Sequence, residues 1–186
     1  MQYIGSGNTG DVFRVGDDVF KNATNDETKI YDLLRGTEGI ASGRLHAIDD
    51  QEKIKLPFYP QVISVDTIAR ADRSAYADLV RPNIERINRS ISALSATGYD
   101  YCDPLQFGAD KNGKMDLLDF SNASNNFPDE ILRNNLGALA RFYREFGLPE
   151  VANSISHVNQ VLNGQHARIR SPFLYDFFGD DEDGIP

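Results

Sequence analysis

The apolar residues of this chain change period once, and that change constrains the fold more than any other feature of the sequence. In the first third they alternate. Asp11-Val12-Phe13-Arg14-Val15 reads as a strand, Gly16-Asp17-Asp18 as a turn and Val19-Phe20-Lys21 as a returning strand, because Gly-Asp between two short β-rich runs is a hairpin signal. Thr24 or Asn25 can cap a helix from Asp26 to Arg35 that Gly36 closes. Ile30, Leu33 and Leu34 have the spacing of one helix face. The stretch from Gly39 to Ser64 reads as further strands, broken by Pro57 and Pro60.

From Asp66 onward the period is helical. Between Asn83 and Ser95, the residues Ile84, Ile87, Ile91 and Leu94 share a face from which Glu85, Arg86 and Arg89 are excluded, so this stretch is an amphipathic helix that Gly98 stops. A strand pair is expected over 106–110 and 114–118 around Asp110-Lys111-Asn112-Gly113. Two more helices follow, one from Asp129 to Phe146 and one from Pro149 to Leu162, and the last twenty residues read as irregular. Proline suits a first helical turn. A boundary falls near Ser64 to Thr67.

The chain has 186 residues, 40% apolar and 25% charged, which is the profile of one globular domain with a real core. Its net charge is −9, and without Asp180, Asp181, Glu182 and Asp183 it is still about −5. Such a chain repels a phosphate backbone, so nucleic acid is not an expected partner. Cys102 is the single cysteine, so no internal disulfide forms. No apolar run approaches the roughly 18 residues of a membrane span, and Met1-Gln2-Tyr3-Ile4-Gly5 lacks the pattern of a signal peptide. No membrane association is expected. His46, His157 and His166 are far apart and Cys102 has no close Cys or His, so a zinc site is not expected either. No serine stands in G-x-S-x-G, so a hydrolase elbow is absent.

Several residues carry a chemical pattern. Gly5-Ser6-Gly7-Asn8-Thr9-Gly10-Asp11-Val12 fits G-x-G-x-x-G-x-V. Glycines let backbone N–H groups approach phosphates with no Cβ in the way. A dinucleotide fingerprint would open a helix, whereas strand-like residues follow here. Lys21 ends a strand, and Glu27 heads the next helix with Ile30, Leu33 and Leu34 behind it. A solvated edge lysine and an N-terminal helix carboxylate favoured by the dipole are the plain readings of these two. Farther on come Tyr101-Cys102-Asp103, Gln106 and, after an apolar strand, Asp119-Phe120-Ser121.

Taken in order, these segments resemble the protein kinase-like superfamily over residues 3–122. Val19-Phe20-Lys21 is similar to the V-A-I-K strand, and Asp119-Phe120-Ser121 to D-F-G. Asp103 has the place of the aspartate in H-R-D, with Tyr101 for the histidine and Cys102 for the arginine. Gln106 stands where the metal-binding asparagine belongs, in a loop shortened by two residues. The short link from Lys21 to Glu27, the absence of A-P-E and the helix that starts soon after Ser121 depart from the usual pattern. That compactness resembles minimal kinases delivered as effectors by bacterial pathogens, and small phage-encoded kinases.

The resemblance implies a compact two-lobed α+β fold, with a small antiparallel sheet plus one helix (residues 1–65) on a mostly helical lobe (residues 66–186) and no long activation loop. It implies an ATP-dependent phosphotransferase, a serine/threonine protein kinase acting on a host or cellular protein, monomeric and either cytoplasmic or secreted into a host cell. Gly5, Ser6, Gly7, Asn8, Thr9, Gly10 and Val12 would cover ATP. Lys21 would hold its α- and β-phosphates, oriented by Glu27; Asp119 and Gln106 would hold Mg²⁺. Asp103 would be the catalytic base, with Asp100 as the alternative. A pseudokinase binding module and a small-molecule kinase remain open beside this reading. Phe173, Tyr175, Phe177 and Phe178 are expected to dock on the body of the protein, ahead of a solvated acidic end.

Overall fold

A computed structural model describes residues 1–7, 10–48, 51–101, 104–121, 123–125 and 127–170 of the chain. Its first elements are strands β1 (Gln2–Gly7), β2 (Gly10–Val15) and β3 (Asp18–Asn22), helix α1 (Asn25–Leu33) and strands β4 (Arg44–Ile48) and β5 (Gln51–Pro57). The strands form one antiparallel sheet in the order β1-β2-β3-β5-β4. Register decides which side chains point inward. Val19 lies opposite Leu56 and Lys21 opposite Ile54. Because side chains alternate across a strand, these four share one face. Ile54, Leu56 and Lys21 on that face are buried.

Helix α1 begins where its cap chemistry places it. Thr24 is extended and its hydroxyl accepts from the Glu27 N–H at 3.1 Å, satisfying one of the donors a helix start leaves open. Ile30, Tyr31 and Leu34 turn into the core while Leu33 is exposed. Leu33 therefore does not belong to the packing face that its spacing suggested.

Strand β6 (Gln61–Ile63) follows, then two 3₁₀ turns flanking α2 (Ala77–Val80), helix α3 (Ile84–Ala96) and strands β7 (Tyr99–Tyr101), β8 (Gln106–Ala109), β9 (Met115–Leu118) and β10 (Ala123–Asn125). Helices α4 (Pro128–Glu145) and α5 (Pro149–Arg170) complete the described chain. Strands β6, β8 and β9 make an antiparallel sheet in that order, and β10 pairs antiparallel with β7. The protein is thus a mixed α+β fold built on antiparallel sheets. Among the described residues no helix is long and apolar enough to cross a membrane.

One core runs through these elements. Ile30, Ile54, Ile63, Ile87, Ile91, Leu94, Phe107, Leu117, Phe120, Phe142 and Phe146 belong to a single buried cluster. Backbone bonds fasten the chain after α1 to β9, with Ala41 N–H donating to Leu117 O at 2.9 Å and Leu117 N–H to Gly39 O at 2.7 Å. Asn83 pins α3 to the β8–β9 hairpin: its amide donates to Leu79 O and Gly113 O at 2.9 Å, and its Oδ1 accepts from Met115 N–H at 3.1 Å.

Two elements differ from the sequence expectation. Helix α5 continues to Arg170 where a stop at Leu162 was expected, since Asn163-Gly164 carries a glycine that costs a helix interior only about 1 kcal/mol. Strand β10 lies in Ser-Asn-rich sequence with no apolar alternation. It forms by backbone pairing to the buried strand β7.

Candidate functional site

The β3 strand sets Lys21 on the inward face, and the first turn of α1 brings Glu27 beneath it. Lys21 Nζ lies 2.8 Å from Glu27 Oε1 and is also paired with Asp119 Oδ1. Lys21 is 7% exposed and Glu27 fully buried, while Asp119 is half-buried. Lysine and glutamate are rarely buried unless paired, so the pairing accounts for their position. Burial pushes the Glu27 carboxyl above its ordinary range, and Lys21 opposes that push without reversing it. Burial raises Asp119 as well, but attraction to Lys21, aided by hydrogen bonds from Ser121, leaves this carboxyl below its ordinary range. One cation therefore sits between two carboxyl groups whose proton affinities have moved in opposite directions.

Asp119 follows β9 in left-handed backbone at φ 62°, the one non-glycine residue with positive φ among those described. That conformation costs an L-residue free energy and persists only where the surroundings enforce it. Here they do. Tyr31 Oη accepts from the Asp119 N–H at 3.2 Å. The Tyr101 hydroxyl reaches the carbonyls of Leu118 at 2.9 Å and Asp119 at 2.5 Å. Phe120 is fully buried between the Tyr31 and Tyr101 rings, whose centroids are 4.9 and 6.1 Å from its own.

Lys21 and Asp119 form the polar end of a cleft of about 340 Å³. Ile4, Val12 and Val19 of the five-stranded sheet line one side, and Val62 and Leu118 of the three-stranded sheet line another. Leu56 and the connecting segment Pro57-Phe58-Tyr59-Pro60 line it as well. Arg14 covers the Phe58 ring, with its guanidinium carbon 3.5 Å from the centroid, and the Tyr59 hydroxyl donates to Asp116 Oδ2 at 2.9 Å.

The glycine-rich residues sit at the tip of the β1–β2 hairpin, where Gly7 pairs with Gly10. Gly10 has φ 121°, a backbone conformation that favours glycine, and a Cβ there would also have to displace the tip of the Asn22 side chain, 2.7 Å away. Asn8 and Thr9, which the sequence also places in this loop, lie outside the described residues, as do Cys102 and Asp103. The aromatic and acidic residues from Phe173 to Asp183 lie outside them too.

Gln106 is half-buried and pairs with Leu118 across β8 and β9, so both side chains share one face of that sheet. Asp100 is buried, and its carboxylate accepts from the Ser124 hydroxyl at 2.7 Å and from Asn134 Nδ2 at 2.6 Å. Among the described residues no three His, Cys, Asp or Glu side chains converge to hold a metal ion. Asp119 and Gln106 nonetheless offer the oxygen donors that Mg²⁺ prefers, and that ion commonly takes one or two carboxylates with phosphate oxygens completing the set.

Tyr31 is not among the expected site residues; its signal is its place one helical turn after Glu27 on the same face. Val12 was expected at the nucleotide, whereas Leu56, Val62 and Leu118 of the cleft walls, and Asn135, were not. The Asn135 side chain accepts from Tyr101 N–H at 2.8 Å and donates to Tyr99 O at 3.1 Å. That contact joins residues far apart in sequence and leaves no local signature. No family model matches the chain, and no curated protein matches its sequence.

Proposed function

We propose that this protein is a minimal kinase-like phosphotransferase that moves the γ-phosphoryl group of ATP to a serine or threonine hydroxyl of a protein. The observation that carries this reading is the convergence of Lys21, Glu27 and Asp119 at one end of a cleft lined on one side by Ile4 and Val12 of the β1–β2 hairpin. In it, the five-stranded sheet with α1 acts as one lobe and residues 66–186 as the other, with ATP between them.

The cleft divides the nucleotide by chemistry. Its walls at Val12, Val19, Leu56 and Leu118 are apolar and suit a flat purine. Pro57 and Pro60 have no N–H to offer the base edge, and Phe58 N–H already donates to Asp17 O at 2.8 Å. Tyr59 N–H, which donates to no acceptor among the described residues, is the donor that remains on this segment. At the polar end Lys21 meets the α- and β-phosphates, and Glu27 keeps the ammonium from swinging away. Gly10 lets the hairpin backbone come close to the phosphates.

Asp119 and Gln106 would hold Mg²⁺, which when bound supplies positive charge to the phosphate oxygens. Phosphoryl transfer depends mainly on such positioning and charge neutralisation. In the transfer the substrate hydroxyl oxygen bonds to the γ-phosphorus as the bond to the β–γ bridging oxygen breaks. Asp103 takes the hydroxyl proton, and ADP leaves with the bridging oxygen. Asp100 is the poorer candidate for that role because its carboxylate is buried and engaged by Ser124 and Asn134.

The test is incubation with γ-labelled ATP and Mg²⁺, alone and with a cell lysate, for wild type and Asp119→Ala. Label transferred by the wild type and not by the variant supports the reading. Nucleotide binding with no transfer to any protein would instead make the chain a binding module that keeps the fold without the chemistry.

A further inference from the structure

A second cavity, of about 280 Å³, opens between Pro104-Leu105 and the face of α4, lined also by Val65, Tyr101, Gly137, Arg141 and Phe142. Tyr101 and Leu105 stand on either side of the segment that carries Asp103. The hydroxyl of Tyr101 is bonded to the Asp119 carbonyl at 2.5 Å. One side chain thus connects this cavity to the cleft.

Gly137 is the unusual residue. It lies in the middle of α4, where glycine costs about 1 kcal/mol relative to alanine. It is not among the glycines with positive φ, and a Cβ built on it meets nothing within 4 Å. Neither backbone conformation nor packing calls for glycine here. Gly137 is exposed and lines the cavity, so the absence of a side chain leaves that side of the cavity uncovered.

Arg141 lies one turn farther along the same face. It is exposed, and Glu145, the carboxylate one turn beyond it, is taken by Arg73. No described carboxylate forms an ion pair with Arg141. In a chain of net charge −9, this leaves a guanidinium at the rim of a cavity whose lining includes the buried apolar side chains Leu105 and Phe142. The cavity has room for one apolar side chain beside Leu105 and Phe142, with the guanidinium at its rim.

We propose that this cavity is the acceptor-side subsite, taking an apolar side chain of the protein substrate against Gly137 while a carboxylate of the same segment pairs with Arg141. The assignment rests on the phosphotransferase reading and deepens it by naming the substrate class: serine or threonine segments that carry an acidic and an apolar residue near the acceptor. Arginine suits the carboxylate because its planar fork makes two parallel hydrogen bonds.

The experiment uses short fluorescein-labelled serine peptides in three sets that differ only in a residue pair, Glu-Leu, Lys-Leu or Glu-Ser, placed in turn at each position near the serine. Binding to the full chain is read by anisotropy without nucleotide. The Glu-Leu set should bind about tenfold tighter than either other set, a difference of about 1.4 kcal/mol. Arg141→Glu should reverse the order of Glu-Leu and Lys-Leu. Gly137→Leu should remove the preference for Leu over Ser while its Tm does not fall, and Gly137→Ala should raise Tm. If Gly137→Leu fails to fold, the reversal by Arg141→Glu decides alone. Equal binding of the three sets by wild type, or an unchanged order in Arg141→Glu, overturns the proposal. A fluorescent ATP analogue is titrated in parallel. Its failure to bind wild type would defeat the phosphotransferase reading, while the peptide pattern still reports on the subsite.

Discussion

The hydroxyl of Tyr101 donates to the main-chain carbonyl of Asp119 at 2.5 Å, and that same residue holds the one positive φ found at a described non-glycine position. The two facts belong together. A strained backbone needs fixed neighbours, and Tyr101 grips the carbonyl side of Asp119 while Tyr31 accepts its N–H at 3.2 Å. Tyr101→Phe should therefore keep the fold but cost about 1–2 kcal/mol, because carbonyls that a buried hydroxyl served lose their donor. Urea denaturation measures that loss. Transfer should fall further than nucleotide affinity, because the change loosens where Asp119 points and leaves the apolar cleft walls intact. Unchanged stability and unchanged transfer would remove Tyr101 from the positioning of Asp119.

Glu27 and Asp119 should affect stability with opposite signs. The Glu27 carboxyl is raised above its unfolded value, so folding opposes its ionisation and the fold loses stability as pH rises through that range. The Asp119 carboxyl is lowered, so its contribution is present above the unfolded value and is lost as pH falls through the folded one. Glu27→Gln should accordingly cost far less at neutral pH than the ~3–5 kcal/mol of stranding a buried charge, since Lys21 keeps Asp119 as its partner. The variant and the wild type should converge below about pH 4, where Glu27 is protonated in the folded and unfolded chains alike. Transfer should still drop about 100-fold, because Lys21 is no longer aimed. Denaturation at both pH values and a single rate assay check this.

The local parts of this arrangement were legible in the sequence, and the distant parts were not. Thr24, Glu27 and Ile30 announce a capped helix because a cap, an acidic first turn and an apolar face lie within one short window. The β8–β9 hairpin is similarly local, with its turn at Asp110-Lys111-Asn112-Gly113. Lys21 and Asp119 could be placed near each other only through resemblance, since 98 residues separate them. Neither β10 nor the Asn135 contact to Tyr99 and Tyr101 had any signal, because each is specified by its partner. Leu33 fits the helical period and still faces solvent, since the period defines a stripe without saying where the neighbouring elements end.

The two aspartates near β7 should separate cleanly. Asp100 is 1% exposed and accepts hydrogen bonds from Ser124 and Asn134. Asp100→Ala should destabilise the protein by about 1–3 kcal/mol or more, through the donors it leaves without an acceptor. Asp103→Ala should keep its Tm and most of its ATP affinity while losing transfer, because in the proposed role it acts on the hydroxyl and not on the nucleotide. Thermal melts, nucleotide titration and label transfer on both variants test the assignment. A fully active Asp103→Ala with a folded but inactive Asp100→Ala would exchange their roles.

A kinase held off until its activation loop is phosphorylated needs a free segment to carry the phosphate and a cation to receive it. On the proposed kinase reading, Cys102 stands at the position of the arginine that would receive it. On the other side, Ser124 sits in β10, paired to β7, and its hydroxyl donates to the buried Asp100 at 2.7 Å. A phosphate on Ser124 would bring negative charge against that carboxylate, so modification there should unfold the β7–β10 pair instead of switching the site on. Ser124→Ala should retain transfer at a cost of about 1 kcal/mol in stability, for the donor lost to Asp100, and adding Ser121→Ala removes only the side-chain donor to Asp119, not the Lys21 pairing that holds it. Ser124→Asp should destabilise more than Ser124→Ala, through like-charge repulsion. Wild type, phosphatase-treated wild type and the double variant are compared on one substrate, with melts of all variants alongside. Activity that collapses on phosphatase treatment and returns on autophosphorylation at Ser121 or Ser124 would show that this short segment is a switch after all.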